Sequence, residues 1–174
     1  GFHLFLAISG FILVHITQPS DTPYNFMMKR IVRIVPLYWV MTTLAIGLAL
    51  FRHWLLPAAD LSVAGILNSY AFLPHVDLVG RIQPVLFVGW TLGYIMLFYL
   101  LFSISLWAKE SMQVPLTIFM MIAIIIAAQW LPDATYRTFY GDPILMEFAM
   151  GCLIGLLIRQ PSVIDFIKRT PMWP

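Results

Sequence analysis

Cysteine is almost absent. Cys152 stands alone among 174 residues, which excludes an intrachain disulfide framework and a thiolate-rich metal site; inside an apolar stretch it reads as a small packing residue. Charge is scarce as well, at 10% of residues against the roughly one quarter usual in soluble domains. The net charge of +2 is too small for a nucleic-acid footprint. Four histidines, His3, His15, His53 and His75, stand at no metal-ligand spacing, so no metal site is expected. Internal repeats and low-complexity linkers are lacking, and no basic leader precedes the apolar residues after Gly1. The expectation is a piece of a longer polytopic protein, folded over 1–174 as a single membrane domain.

What is plentiful is apolar side chain, 61% hydrophobic with 15% aromatic. A membrane helix takes about 20 mostly apolar residues, and five stretches reach or approach that length: 1–19, 34–51, 84–108, 112–131 and 143–158. A sixth, 61–74, is too short and carries Ser62, Asn68, Ser69 and Pro74. Lysine and arginine collect on the cytoplasmic side of membrane proteins, which tests whether 61–74 crosses. If it does not, Lys29, Arg30, Arg33, Lys109, Arg159, Lys168 and Arg169 share one side against Arg52, Arg81 and Arg137. If it does, the bias disappears. The expected fold is therefore an all-α polytopic transmembrane helix bundle of about five spans, with 61–74 a short re-entrant or interfacial helix at the outer face. His3, His53, His75, Asp60, Asp77, Asp133 and Asp142 then lie outside, and His15 lies near the cytoplasm. Thr22 before Pro23 and Asp142 before Pro143 read as N-caps followed by proline at the first helical position. The first of these starts a helix over 23–35 along the cytoplasmic surface, kinked at Pro36 into the next span.

Three constellations could carry chemistry. In "MKRIVRIVPLYWV" (28–40), Lys29, Arg30 and Arg33 fall on one helical face. They either anchor the helix end among anionic headgroups or hold a phosphate or pyrophosphate, for which arginine offers bidentate donors. Glu147 is the one acid inside an expected span, and Gly151 and Gly155 follow it at spacings of four, giving a close-packing face with an acid at its outer end. "GWTLGYIMLFYLLF" (89–102) concentrates Trp90, Thr91, Tyr94 and Tyr99. An aromatic belt accounts for Trp90, whereas a phenol halfway through a span, as at Tyr99, requires a polar partner or cavity.

In order and approximate spacing, "LFLAISGF", "KRIVRIVPLYW", "LNSYAFLPH", "PVLFVGWTLGYIMLFYLLF" and "ILMEFAMGCLIG" resemble the family-3 membrane acyltransferases, the group that includes exopolysaccharide O-acetyltransferases. The likeness runs from residue 4 to about residue 158. It implies a multi-pass enzyme of the bacterial inner membrane that takes an acyl group, usually acetyl, from acyl-coenzyme A at the cytoplasmic face. The acceptor it implies is a sugar hydroxyl of an exopolysaccharide, lipopolysaccharide or other glycan. No permanently bound cofactor is implied; acetyl-coenzyme A is a donor substrate. Lys29, Arg30 and Arg33 match the basic motif associated in that family with the coenzyme A phosphates, and Glu147 matches a recurrent acid in "EF-x-x-G".

Two departures qualify the likeness. The family's Arg and catalytic His belong to a first membrane helix that would lie upstream of Gly1, and neither His3 nor His15 matches that position, so the general base is unassigned. Relatives usually read "WTLNYEM" or "WSLSVE", and here Ile95 occupies the glutamate position. Trp90, Thr91, Tyr94, Tyr99 and Glu147 are the candidates for the cavity or acceptor side, with Tyr94 and Tyr99 as possible oxyanion donors. The rival reading is a non-catalytic member of the same fold, or a transporter-like protein for glycan export.

Overall fold

The computed structural model describes residues 2–18, 20–51 and 57–159. Its elements are α1 (Phe2–Ile16), α2 (Pro23–Phe51), α3 (Val63–Tyr70), α4 (Gly89–Ser105), α5 (Glu110–Ala128), α6 (Ala134–Tyr140) and α7 (Leu145–Arg159). Among the described residues the only strand-like pairing is an isolated bridge between Val76 and Ile82. Arg52, His53, Lys168 and Arg169 lie outside the described residues.

Among the described residues, three stretches are long and apolar enough to cross a membrane: Pro23–Phe51, Glu110–Ala128 and Ala134–Arg159, the last taking in α6 and α7. Length and apolarity thus support three of the five expected spans. α1 and α4 are apolar but have 15 and 17 residues, about 22 and 25 Å at 1.5 Å per residue, short of a ~30 Å hydrocarbon core. The expected helix over 84–88 is replaced by turns, with Gly89 N–H donating to the Leu86 carbonyl at 2.8 Å. Beyond Ser105, turn-type bonds to Ser103 and Ile104 close α4. The surface helix expected over 23–35 does not stop at Pro36. It runs through it as one helix of 29 residues, started by Thr22, whose Oγ1 accepts from Asn25 N–H at 3.2 Å.

Chain direction alternates. α1 and α7 run parallel, since His3 meets Glu147 at their N-terminal ends and Val14 lies against Gly155 further along. α2 and α4 run antiparallel, with Phe26 beside Phe102 and Tyr38 against Gly89. α5 starts where α7 ends, Glu110 and Arg159 pairing at 3.7 Å. Lys29, Arg30, Arg33, Lys109 and Arg159 thus gather toward one end, and Arg81 and Arg137 lie toward the other.

The α1–α7 contact depends on small residues. A Cβ at Gly10 would collide with the Phe148 carbonyl, and one at Gly151 with the Ala7 carbonyl, so the two backbones approach as only glycine allows. Cys152 is fully buried there, its Sγ 3.6 Å from the Gly10 carbonyl. Phe98 and Phe148 stack at 4.4 Å inside the same core. Outward, Leu37, Val40, Leu44 and Leu48 on α2 and Phe119, Ile122 and Ile126 on α5 are exposed. Leaving such side chains in water forgoes about 25 cal/mol per Å², so these faces suit lipid.

Between α2 and α4 the chain folds over one end of the bundle. Side chains of α2 satisfy the last carbonyls of α3: Tyr38 O–H donates to Ser69 at 2.9 Å and Trp39 Nε1–H to Tyr70 at 3.0 Å. Asp60 accepts from Ser62 N–H at 2.8 Å and from the His75 ring at 2.5 Å. Those two bonds, the Ser62 amide first, hold its carboxyl below the ordinary value of 3.8. A depressed folded pKa stabilises this segment above the unfolded value and withdraws that support as pH falls below it. Protection from hydrogen exchange over 57–88, taken relative to the intrinsic rate at each pH, is therefore expected to fall below about pH 4, and Asp60→Asn should show the lower protection already at neutral pH. Identical exchange in both proteins at every pH would overturn this. Asp77 is also committed, accepting from Val79 N–H and Arg81 N–H. Asp133 caps α6 by accepting from Thr135 N–H at 2.7 Å, and Asp142 turns the chain into α7 by accepting from Ile144 N–H at 2.9 Å.

Candidate functional site

A partly open cavity of about 320 Å³ with charged groups in its wall lies between α1, α2 and α4. From α1 it takes Phe5, Ser9, Ile12 and Ile16, one helical face at the i, i+4, i+7 spacing. Eleven residues separate the ends of that face, so the cavity follows α1 for about 16 Å. From α2 come Arg30 and Arg33, and from α4 come Leu92, Ile95 and Tyr99. The arginines lie toward the end of α1 marked by Ile16, the end that carries most of the basic residues. The remainder of the wall is apolar apart from Ser9, whose hydroxyl donates back to the Phe5 carbonyl at 2.8 Å.

Arg30 and Arg33 have no ion-pair partner among the described residues, and no carboxylate lines the cavity. Asp21, whose carboxyl feels the Arg30 charge, is engaged with Lys29. Two guanidinium groups facing a mostly apolar space attract an anion, because neither charge is neutralised by the fold. Arg30 rests against two rings that themselves pack edge to face. Its Cζ lies 5.1 Å from the Phe26 centroid and 5.5 Å from that of Tyr99, and its buried Nε has no hydrogen-bond partner.

The other candidates divide. Lys29, expected to act with the arginines, does not line the cavity; its Nζ donates to Asp21 at 2.7 Å, and that bond holds the Asp21 carboxyl below its usual range. A 100° step from Arg30 to Lys29 around the helix is enough to separate them. Tyr99 belongs with the arginines rather than with Trp90 and Tyr94. Tyr94 is buried against Phe139, rings stacked at 4.1 Å, with its hydroxyl donating to the Phe139 carbonyl at 3.1 Å. Trp90 packs edge-on to Tyr94 and Phe87, and Thr91 is half-buried one residue on. Glu147 meets His3 Nδ1 at 3.2 Å on the α7 side of α1, away from the cavity face. Sequence reasoning passed over Phe26, although its i, i+4 spacing to Arg30 was a usable signal. Ser9 gave none, since an Ser-Gly pair is ordinary in packed helices. Among the described residues, no three or more His, Cys, Asp or Glu side chains come together as a metal site would need.

Over 159 residues the chain is 37% identical to the exopolysaccharide production protein ExoZ of Rhizobium meliloti (strain 1021), an alignment covering 89% of this chain and 49% of that protein. The chain spans about half the length of this curated relative. No family model matches, and no solved structure matches. The similarity is to half of a protein of exopolysaccharide production, and it takes in both cavity arginines.

Proposed function

We propose that the complete protein is a membrane O-acyltransferase, moving an acyl group, acetyl in the simplest case, from acyl-coenzyme A at the cytoplasmic face to a sugar hydroxyl of an exopolysaccharide or other glycan. The observation that carries this is the pair of unneutralised arginines at one end of a long, otherwise apolar cavity. Acyl-coenzyme A has the matching shape, phosphates at one end and a slender arm leading to the thioester. Likeness to a protein named for exopolysaccharide production supports a glycan acceptor. The alternating direction of α1, α2, α4, α5 and α7 supports five crossings in an inner membrane, with α1 and α4 completed by their flanking turns. In the reaction, the acceptor oxygen bonds to the thioester carbonyl carbon, the carbon–sulfur bond breaks, and the hydroxyl proton passes by way of a base to the departing thiolate. The residues that hold the donor are Arg30 and Arg33, while Lys29 is paired with Asp21 outside the cavity; the base belongs to the part of the protein beyond this chain.

Ile95 favours a second reading. It faces the cavity where related sequences carry a glutamate, so the chain could be a non-catalytic relative that binds without transferring. Inverted inner-membrane vesicles containing the complete protein, supplied with radiolabelled acetyl-coenzyme A, decide between them. Label is expected in the glycan fraction at several times the level of vesicles lacking the protein. Donor binding without incorporation sinks the enzyme and leaves the binding protein.

A further inference from the structure

The surroundings of Arg30 go beyond what an anion site requires. We infer that Phe26 and Tyr99, packed edge to face, form a one-sided aromatic clamp, a corner of two rings in which the Arg30 guanidinium is positioned for its anionic ligand, so that Tyr99, on α4, is a positioning residue of a site whose charge comes from α2. The inference rests on the donor-site reading above. Three observations carry it: the guanidinium carbon lies within 5.5 Å of both ring centroids, its Nε is buried without a hydrogen-bond partner, and Phe26 and Tyr99 stand edge to face at 6.3 Å. A cation set against two rings is attracted to both, and that contact restricts the long side chain's rotamers before any ligand arrives. With Nε enclosed, the two terminal nitrogens remain to address the cavity. Less ordering entropy is then lost on binding.

Phe26 reaches Arg30 from one turn earlier on the same helix, whereas Tyr99 comes from a different helix. Its hydroxyl makes no hydrogen bond among the described residues, and Tyr99 lines the cavity, so the ring rather than the phenol is the working part. Arg33, three residues on, has no such ring pair. The clamp therefore distinguishes two arginines that the sequence presents as equivalent. A lysine at position 30 would keep the attraction to the rings but lose the planar fork of donors that matches a phosphate.

The test is a pair of double-mutant cycles on the complete protein in lipid nanodiscs, reading coenzyme A affinity and, for acetyl transfer, KM and kcat separately. Tyr99→Leu is expected to weaken coenzyme A binding about tenfold, within the range of a desolvated cation–π contact. KM for acetyl-coenzyme A should rise in parallel with kcat unchanged. Tyr99→Phe, which keeps the ring, should stay within about threefold of the parent. Tyr99→Leu should cost almost nothing further when Arg30 is already Gln, yet its full factor when Arg33 is Gln. Phe26→Leu provides the same cycle should Tyr99→Leu fail to accumulate. Losses that add with Arg30→Gln, or coupling equal for both arginines, overturn the clamp and leave the donor site standing. Unchanged coenzyme A affinity in Arg30→Gln itself overturns both.

Discussion

Replacing Arg30 and Arg33 together by glutamine is expected to weaken acyl-coenzyme A binding on the order of a hundredfold, while leaving the protein in the membrane at its normal level. Each hydrogen bond between a guanidinium and a phosphate contributes about 1.5–3 kcal/mol. Losing the charge-assisted part of two such bonds amounts to roughly 3 kcal/mol, or about two orders of magnitude in affinity. Insertion should survive because neither arginine has an ion-pair partner among the described residues, so nothing is left uncompensated when the charges go. Lys29→Gln is the control. Its ammonium is exposed and paired with Asp21, a contact of little energetic weight, and donor affinity should fall less than about threefold. Equilibrium binding with nanodisc-embedded protein checks both variants. If the double variant binds the donor normally and is instead lost from the membrane, the basic stretch is only an anchor.

Gly151→Ala is the second large effect, and it acts on stability. A Cβ there would overlap the Ala7 carbonyl oxygen and lie 2.7 Å from the Ala7 carbonyl carbon and 2.9 Å from the Phe11 nitrogen. These are backbone atoms of α1, so no rotamer change relieves the overlap. The whole helix must withdraw, taking with it the contacts of Gly10 with Phe148 and Cys152 and of Val14 with Gly155. Overpacking of this kind costs about 3 kcal/mol at the severe end of its usual range. Thermal unfolding of the purified protein should therefore begin several degrees lower, roughly as a 3 kcal/mol loss implies for a domain of this size. Gly47→Ala supplies the comparison, for its Cβ would meet nothing within 4 Å. That change removes a flexible residue from the interior of α2 and should be neutral or slightly stabilising. Equal unfolding temperatures for the two variants would mean that α1 and α7 do not lie backbone to backbone.

Much of the fold is written in local patterns. Thr22 before Pro23 marks the start of α2 where the hydroxyl caps it, and the wholly apolar run 118–128 leaves the backbone to satisfy itself, which in an apolar medium means a helix. The passage of α2 through Pro36 into the next span was legible too, since a proline on the exposed face of a long helix costs one hydrogen bond without stopping it. Local pattern missed α6, whose seven residues are too few to establish a period. The candidate site was legible in composition but not in grouping. Arg30, Arg33 and Tyr99 were each conspicuous, yet the meeting of positions 30 and 99 is set by antiparallel packing of α2 on α4, a long-range property that no window along the chain contains. Lys29 left the group because a 100° step around the helix turns it from the cavity toward Asp21, eight residues earlier.

The pairing of α1 with α7 has a bearing on how the protein is made. Gly10 and Cys152 touch although 142 positions separate them, and a ribosome adding about 5–20 residues per second needs on the order of ten seconds to produce the second after the first. Throughout that interval α1 must wait beside the translocon with its glycine seam unmatched, open to any other small-residue helix in the vicinity. Assembly is then complete only when α7 arrives, so a nascent chain arrested before residue 145 should be the form that membrane proteases and insertases recognise.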